Sequence, residues 1–385
     1  MMPRMNEKLL IRVVPFGMDL AMGIYYLAAP LLLIELNANP IELGLVAAIS
    51  SLTYMAMAHF MGRLSDRLGR RRLIITAPGL FVSSCLLMTI AGEVKVILAV
   101  SVITGFCLSM FWPSFQAWVV DHQTGTGLAR NIGSFNMSWT AANLVGPVLS
   151  GFLYSLNSRL PFFVSAAMAF ILFFLVRASV HDRKAPFEGT GRSVSTEEGH
   201  DRRVFLYAAW VANFATWFII GNCRYQFPKL ARELNISPQI IGLLLGSIGF
   251  ALFMGFFILR RSERWHFKTL HLLGAQFLLG GGVLVVLLSS QPILFASAFI
   301  IIGTSGSVTY YSSLYYAVHL LKAKGRGSGL HESILGGGAV SGPILGGIAA
   351  HYEGLRAPYL LCLVVLCLAV IAELILMRRR NSHGT

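Results

Sequence analysis

Twelve apolar segments, each long enough to cross a lipid bilayer, constrain the fold of this chain more than any other feature. A transmembrane helix needs about 20 predominantly apolar residues. Segments of this kind lie near residues 10–35, 41–61, 72–91, 95–120, 130–155, 160–178, 204–228, 238–260, 268–288, 292–320, 328–350 and 355–378. Only 12% of the residues are charged, against roughly a quarter in soluble domains. The sequence therefore predicts an all-α, twelve-helix membrane protein with short loops and no separate soluble domain.

The first apolar segment is expected to stay in the mature protein, because it is too long for a signal peptide and no A-x-A cleavage site follows it. The five cysteines all fall inside apolar segments without metal-ligand spacing, and we expect them to be small buried hydrophobic residues. They are Cys85, Cys107, Cys223, Cys362 and Cys367. No phosphate-binding loop, zinc motif or nucleophile elbow occurs. We therefore expect no enzyme activity, no ATP-driven pumping, no metal and no cofactor.

Most of the 31 Lys and Arg residues are predicted to lie on one side of the membrane. They occur before the first span and near residues 62–73, 177–203, 260–268, 322–326 and 378–380. Basic residues concentrated in alternate loops mark the cytoplasmic side, so we expect both termini inside a prokaryotic plasma membrane. Nucleic-acid binding is excluded as an interpretation of the net charge of +14, because the basic residues do not form a single solvated face.

The two halves of the sequence repeat each other. PLLLIELNANPIELGL (30–45) and PKLARELNISPQIIGL (228–243) share eight of sixteen residues, and the segments 133–151 and 329–347 also correspond. Six spans per half is an even number, so the halves are predicted to be parallel repeats about an axis along the membrane normal. The polar segment between them reads as a flexible cytoplasmic linker. The predicted units are a bundle at 1–176, a linker at 177–203 and a second bundle at 204–385.

The stretch GRLSDRLGRRRL (62–73) gathers five arginines around Asp66. Gly62 and Gly69 are predicted to let the chain turn tightly, because glycine accepts a positive φ. Arg63 and Arg70 lie three and four residues from Asp66 and can pair with it. An ordinary cytoplasmic loop would explain the arginines but neither the aspartate nor the glycine spacing.

This stretch resembles the G-x-L-[AS]-D-R-x-G-R-[KR] signature of the major facilitator superfamily, in the loop where that family carries it. The twelve spans, the repeat and the central linker resemble the same family over essentially the whole chain. The resemblance implies two six-helix bundles in a monomer that moves a small organic solute by alternating access.

By this resemblance the arginine-rich stretch is a latch for the outward-facing state, in which Asp66 meets the eleventh span near Ser328. The N-terminal dipole of that helix favours an anion. The implied latch residues are Gly62, Asp66, Arg67, Gly69 and Arg70, with Asp121 and Glu332 near them. Asp121, His122, His331 and Glu332 are interpreted as caps and partners of the arginines, with a proton relay as the alternative. The matching segment 259–268 has lost the pattern, so the latch is expected to be one-sided.

Glycine and proline recur in the fifth and eleventh spans in the family's pattern. The eleventh span has it in full at Gly329, Gly338, Gly342, Pro343, Gly346 and Gly347, and the fifth keeps Gly133, Gly146, Pro147 and Gly151. Small residues let membrane helices approach closely, so a structural contact is as good an interpretation as a role in transport. The family's exporters often carry this pattern in the fifth helix, which favours export only mildly here.

Polar residues inside the predicted spans are candidates for substrate or proton binding, because burying them is costly. The candidates are Asp19, Tyr26, Asn136, Trp139, Asn143, Asn213, Trp217, Arg224, Tyr311 and Tyr315, with Thr304 and Ser307 on the same span as the last two. Asp19 and Tyr26 share a helix face at a spacing of seven. The resemblance implies that helices 1, 4, 7 and 10 line a central cavity beside 2, 5, 8 and 11, which would bring these side chains together near mid-membrane.

Each candidate has a structural alternative. Asp19 could bind a proton or cation, or could pair with a nearby backbone group or Asn. Arg224 could be a ligand or counter-ion, or could extend to the interface, and the aromatic residues could be packing or interface anchors. Where the family's proton-coupled exporters have an arginine four residues before a glycine in helix 4, this chain has Ser101 before Gly105. Coupling through that arginine is excluded, and proton coupling itself stays open.

The sequence thus favours a secondary transporter, with a mild preference for proton-coupled export. A solute uptake permease is one alternative. A flippase of lipids or amphiphiles is another, suggested by a cavity rich in aromatic residues and poor in charge. A sensor that has lost transport is a third alternative, which is disfavoured because we expect no appended domain through which it would signal.

Overall fold

The computed structural model describes the backbone of residues 6–121, 127–181, 196–261, 265–320 and 324–382, and the side chains in these ranges except at 120, 121, 127–133, 196–202, 318, 324–328 and 379–382. The described chain is helical almost throughout. The helices are α1 (Glu7–Glu35), α2 (Pro40–Leu68), α3 (Arg70–Ile90), α4 (Val94–Asp121), α5 (Gly127–Leu156), α6 (Leu160–Ser179), α7 (Thr196–Tyr225), α8 (Phe227–Glu233), α9 (Pro238–Leu259), α10 (Thr269–Leu288), α11 (Pro292–Leu320), α12 (Lys324–Glu353) and α13 (Ala357–Ser382).

Twelve long helices match the twelve predicted spans, so the all-α membrane fold is confirmed. Eleven of them, within the described residues, are long and apolar enough to cross a membrane, and α5 is the twelfth. The seven-residue α8 was not predicted. It forms because Pro228 has no amide hydrogen to continue α7 but fits the first turn of a new helix. We call the end of the bundle where α1 begins and α13 ends the termini side, and the other end the far side.

Each half has its own apolar core. One buried cluster draws only on residues between Leu10 and Val180, and a second joins residues of α7 to α11 and of α13, with Leu27 and Leu31 of α1 packed into it. The most extensive contacts between the first six helices and the last seven are those of α5 with α9 and of α2 with α12. Transport by alternating access needs such an interface, because it can open without unpacking either core.

Repeated residues meet each other across this interface in a two-fold arrangement. A Cβ atom added to any of four glycines would collide with a backbone carbonyl oxygen of the opposite half. The four contacts are Gly44 with Pro343, Gly242 with Pro147, Gly347 with Pro40 and Gly151 with Pro238. Glycine is required here because only a residue without a side chain lets two membrane helices approach this closely.

The repeated far-side turns also share their chemistry. Asn37 and Asn235 both have a φ of 58°, the left-handed conformation that often ends a helix and that asparagine tolerates. The next helices begin with an N-cap, and Asn39 accepts a hydrogen bond from the Glu42 amide at 3.0 Å. Proline then occupies the first helical position in both repeats, where it loses no hydrogen bond. These features explain why the two stretches resemble each other.

The remaining Gly-Pro residues pack the two motif helices within their own halves. Gly146 lies against the backbone of Gly23 in α1, and Pro343 lies against Gly221, the repeat partner of Gly23 in α7. Gly338 and Gly342 contact α7, and Gly346 lies beside the Asn222 side chain. Gly329, by contrast, has nothing within 4 Å of a built Cβ. A tight structural contact therefore accounts for most of the motif.

The arginine-rich stretch is not simply a loop, because residues 62–68 belong to the last two turns of α2. Gly62 is helical there, with no atom within 4 Å of a built Cβ, so the prediction that it turns the chain is wrong. The turn is made by Gly69 alone, whose φ is 93°. Only glycine adopts such a φ without strain, so one of the two predicted hinge glycines has that role.

The prediction that all five cysteines are buried is wrong for one of them, and the prediction of a linker stays untested. Four cysteines are buried as predicted, but Cys367 is exposed on the outer surface of the bundle, where an apolar thiol is compatible with lipid. Most of the predicted linker at 177–203 lies outside the described residues, as do His122, the side chain of Asp121 and the packing around Gly133.

Candidate functional site

Three predicted residues from three helices form a hydrogen-bonded chain near the middle of the bundle. The Asn143 amide nitrogen on α5 donates to the Asp19 carboxylate on α1, and the Arg224 guanidinium on α7 donates to the Asn143 amide oxygen at 2.7 Å. All three side chains are half-buried. The chain therefore links an acid of the first half to a base of the second, and each charge reduces the cost of burying the other.

A small cavity of about 30 Å³ lies beside this chain. Its lining includes Tyr26, Asn143 and Arg224, together with Gly23, Leu27, Pro147, Leu245, Ile248 and Gly249. That volume suffices for a water molecule or two but not for an organic solute. The central site is contracted in this conformation, because α9 and α5 approach closely at Gly249, where a Cβ would collide with the Asn143 backbone.

Four aromatic rings from four helices pack together next to the chain, and we call them the aromatic cluster: Trp139, Trp217, Phe256 and Tyr310. Tyr310 is at its centre, with its ring centroid 5.7 Å from that of Trp139 and 5.2 Å from that of Phe256. The Arg224 guanidinium lies over the Trp217 ring, 5.6 Å from its centroid. This cation–π contact joins the cluster to the charged residues, and the cluster supplies a flat apolar surface.

Two predicted asparagines support this region in different ways. Asn136 accepts a hydrogen bond from the Trp139 indole nitrogen at 3.1 Å and so helps to orient that ring. Asn213 is fully buried on α7, one turn from Trp217, and its amide atoms have no hydrogen-bond partner among the described residues. A buried amide without a partner is costly, which makes Asn213 a candidate for a ligand contact.

The structure places the α11 candidates away from the central chain. Tyr311 packs against Trp265 and against Phe256 of the aromatic cluster, with ring centroids 5.4 and 5.9 Å apart, and Tyr315 stacks on His266 at 3.8 Å. The contacts with Trp265 and His266 lie at the termini-side end of α11, where the segment 265–268 folds back onto the helix. Thr304 is exposed and donates to the Ile300 carbonyl of its own helix, so this face of α11 points away from the other half.

Tyr310 is a residue of the site that sequence reasoning missed. It precedes Tyr311, and one residue along a helix rotates a side chain by about 100°. The neighbouring polar residue Thr309 could have indicated it. The Thr309 hydroxyl donates to the Thr216 hydroxyl of α7 at 3.1 Å, so Thr309 marks the face of α11 that packs on α7. Tyr310 also packs against His331, with ring centroids 4.6 Å apart.

The implied latch residues form local contacts in this conformation. Asp66 pairs with Arg70, which also donates to Ser65 at 2.7 Å, and the Asp66 side chain is 59% exposed. Arg71 ties the start of α3 to the end of α6 through the Val180 carbonyl, at 2.7 Å. Glu332 is half-buried at the termini-side end of α12. The latch itself stays a prediction.

His331 is fully buried beside the latch region and is not exposed as a cap would be. The Ser313 hydroxyl and the His331 ring share a hydrogen bond of 2.8 Å.

Among the described residues no group of three His, Cys, Asp or Glu side chains has metal-binding geometry. The central chain and the aromatic cluster offer a carboxylate, a guanidinium, amides and aromatic rings, which suit proton exchange and the binding of an organic molecule.

Comparison with known proteins finds similarity over most of the chain. A sequence model of the Major Facilitator Superfamily matches residues 13–329 and 209–385. The Quinolone resistance protein NorA of Staphylococcus aureus is 23% identical over 370 residues, with 94% of each chain covered. The Multidrug resistance protein 1 of Bacillus subtilis is 22% identical over 363 residues, with 91% of each covered.

Solved structures share the fold at low identity. A bacterial homologue of the human lysosomal transporter Spinster, in an inward-facing and unoccupied conformation, superposes with a TM-score of 0.76 at 14% identity over 97% of each chain. The peptide transporter POT gives a TM-score of 0.74 at 15% identity, covering 98% of this chain and 96% of that one.

Proposed function

Because the chain belongs to the major facilitator superfamily and is a multi-pass membrane transporter, we propose that it exports amphipathic organic molecules in exchange for protons. In this proposal the protein works as a monomer in a bacterial plasma membrane with both termini in the cytoplasm. The bodies that move are residues 1–176 and 204–385, joined by the linker 177–203. The termini side then faces the cytoplasm.

The hydrogen-bonded chain from Asp19 through Asn143 to Arg224 is the observation that carries the proposal. It places an ionisable acid in the membrane interior, where such groups usually mark proton or ion pathways. The names of the two bacterial relatives, which refer to quinolone and multidrug resistance, support export as the direction. The aromatic cluster supports a substrate with an apolar, planar part.

Proton exchange at Asp19 would change the energy of the interface between the bundles. When Asp19 is ionised, its charge attracts Arg224 of the other half through Asn143, and the halves are held together beside the central cavity. Protonation removes that charge and leaves the guanidinium without its counter-charge. The two states of Asp19 therefore favour different arrangements of the bundles, which is the requirement for coupling protons to alternating access.

Transport by reconstituted protein tests the proposal. We expect ethidium, an aromatic organic cation, to be driven across proteoliposome membranes by an imposed pH gradient. Asp19→Asn is expected to abolish the gradient-driven component while leaving passive exchange of the same dye. Glu7→Gln, which removes an exposed acid at the start of the same helix, is the matched control. Gradient-driven transport that survives Asp19→Asn would contradict a proton role for Asp19.

A further inference from the structure

A second, much larger pocket lies between the termini-side parts of α1, α5 and α9. Its volume is about 440 Å³, which is the size of pockets that bind drug-sized molecules. The walls are mainly apolar, with Phe16 from α1, Met137 and Ala141 from α5, and Phe253 from α9. Both halves of the protein contribute, so the shape of this pocket depends on how the halves are arranged.

The pocket leads towards the central chain. Phe16 lies one turn of α1 before Asp19, and Ala141 lies two residues before Asn143 on α5. Arg12 lines the pocket seven residues before Asp19, on the same helix face and about 10 Å along the axis. The pocket is therefore the approach to Asp19 from the termini side.

Two arginines stand in this apolar pocket, Arg12 and Arg260, and both are exposed. The described residues that line the pocket include no Asp or Glu, and the single ion pair found among the described residues is Asp66 with Arg70. The Arg260 guanidinium rests on the Phe257 ring, 4.6 Å from its centroid, which limits its freedom. Free guanidinium groups bind carboxylates and other oxyanions in a bidentate manner.

We propose that this pocket is a binding subsite for amphipathic molecules that carry a carboxylate or a similar oxyanion. Arg12 and Arg260 hold the anionic end, and the apolar body lies on Phe16, Met137 and Phe253. The proposal rests on the proposed function, because the pocket matters for transport only as the approach to Asp19. It adds organic anions and zwitterions to the amphipathic molecules that the exporter accepts. A zwitterion with charges about 10 Å apart could reach Arg12 and Asp19 at once.

Binding of two matched probes tests this subsite. The probes are dansyl-aminohexanoate and its uncharged methyl ester, titrated onto the full-length protein in phosphatidylcholine nanodiscs. We expect Arg12→Gln and Arg260→Gln each to weaken binding of the carboxylate about tenfold. Binding of the ester is expected to change less than twofold.

The control variants remove nearby cations that do not line the pocket. Lys8→Gln acts one turn before Arg12, and Arg261→Gln removes the cation that shares the Phe257 ring with Arg260 but does not line the pocket. Both are expected to leave the affinity for the carboxylate unchanged. Met137→Trp, which fills the pocket, is expected to weaken both probes and shows that they bind there. Thermal unfolding of each variant in the same nanodiscs separates lost binding from lost folding.

Several outcomes would overturn the subsite. If the arginine variants lost affinity equally for the carboxylate and the ester, or lost none for either, the arginines would not be binding the carboxylate group. If the carboxylate bound in phosphatidylcholine nanodiscs but was displaced by phosphatidylglycerol, the oxyanion would come from a lipid headgroup and the substrate assignment would fall.

The transport assay distinguishes this failure from failure of the proposed function. If the protein transports ethidium but binds the dansyl carboxylate equally well with and without the two arginines, the proposed function stands and the subsite is wrong. If binding of the carboxylate depends on the arginines but neither ethidium nor the dansyl probes are transported, the proposed function is wrong and the pocket is an anion-binding site.

Discussion

Asn143 is the residue that connects the two charges of the central site. Its side chain presents a donor and an acceptor in one plane, and it uses the donor on Asp19 and the acceptor on Arg224. A carboxylate at this position could not donate to Asp19, and an apolar side chain could contact neither charge. The amide is therefore what lets an acid and a base from different halves share one site.

Replacing Asn143 with leucine is expected to reduce pH-driven transport by at least tenfold, because Asp19 and Arg224 each lose a charge-assisted hydrogen bond. Initial rates in proteoliposomes measure this effect. The matched control is Thr140→Val on the same helix, because the Thr140 hydroxyl bonds only to carbonyls of α5, at 2.7 and 3.2 Å. Equal rates in the two variants would show that the chain has no role in transport.

At the scale of single elements, the junction between α2 and α3 separates two glycines that look alike in sequence. Gly69 has a φ of 93°, whereas Gly62 is helical and has open space where a Cβ would lie. Spacing alone predicted the same role for both. Hydrogen bonding decides the difference, because the helix continues through Gly62 until the Gly69 amide bonds the Ser65 carbonyl at 3.0 Å.

Alanine at these two positions is expected to act in opposite directions. Gly69→Ala should destabilise the protein by about 1–3 kcal/mol, because alanine is strained at a φ of 93° with a ψ of 140°. Gly62→Ala should stabilise it by about 0.5–1 kcal/mol, because alanine favours a helix over glycine. Thermal unfolding in detergent compares the two variants. Destabilisation of similar size in both would contradict the placement of Gly62 inside α2.

The contact between α5 and α9 is expected to fail when Gly242 gains a side chain. A Cβ there would collide with the Pro147 carbonyl, and overpacking of a close contact costs about 1–3 kcal/mol. Gly242→Ala should therefore shift the halves apart on the far side, seen as faster thiol labelling of a cysteine introduced at Leu153. Gly274→Ala, where a Cβ meets nothing within 4 Å, should leave labelling unchanged.

At the scale of the whole molecule, the sequence predicts the spans and the repeat because both depend on local pattern. Hydropathy sets the length of a spanning helix, and the Asn-Pro turns repeat because the same capping is needed twice. The contacts between helices depend on rotation and register, which no local pattern records. The pattern therefore indicates Tyr311 but not Tyr310, although Tyr310 lies at the centre of the aromatic cluster and Tyr311 contacts it only at Phe256.

The same limit applies to the central chain. Asp19, Asn143 and Arg224 were each predicted as candidates from their polarity inside a span. Their connection depends on how far α1, α5 and α7 slide relative to one another, which the Gly23 and Gly146 contact helps to fix. The sequence could name the participants but not the order in which they bond.

The far side is closed by polar contacts from the end of α7 and from α8. The Gln226 amide donates to the Pro40 carbonyl of α2 at 3.1 Å and to the Pro343 carbonyl of α12 at 3.0 Å. The Lys229 ammonium donates to the Ala38 carbonyl at 2.5 Å. Burial lowers the pKa of Lys229, and the charges of Glu233 and Glu42 oppose that shift. The bonds to Pro40 and Ala38 join the two halves and must break when the far side opens, whereas the bond to Pro343 lies within the second half.

Gln226→Leu is therefore expected to favour opening of the far side. The variant loses the one Gln226 hydrogen bond that crosses between the halves, to Pro40. Such a bond contributes about 1 kcal/mol, so the ratio of open to closed protein should rise about fivefold. Distances between spin labels on the far-side ends of α2 and α12 measure that ratio. Gln291→Leu removes an exposed amide on the same side and should leave the distances unchanged. A closed distribution in Gln226→Leu would mean that the glycine contacts alone hold this side shut.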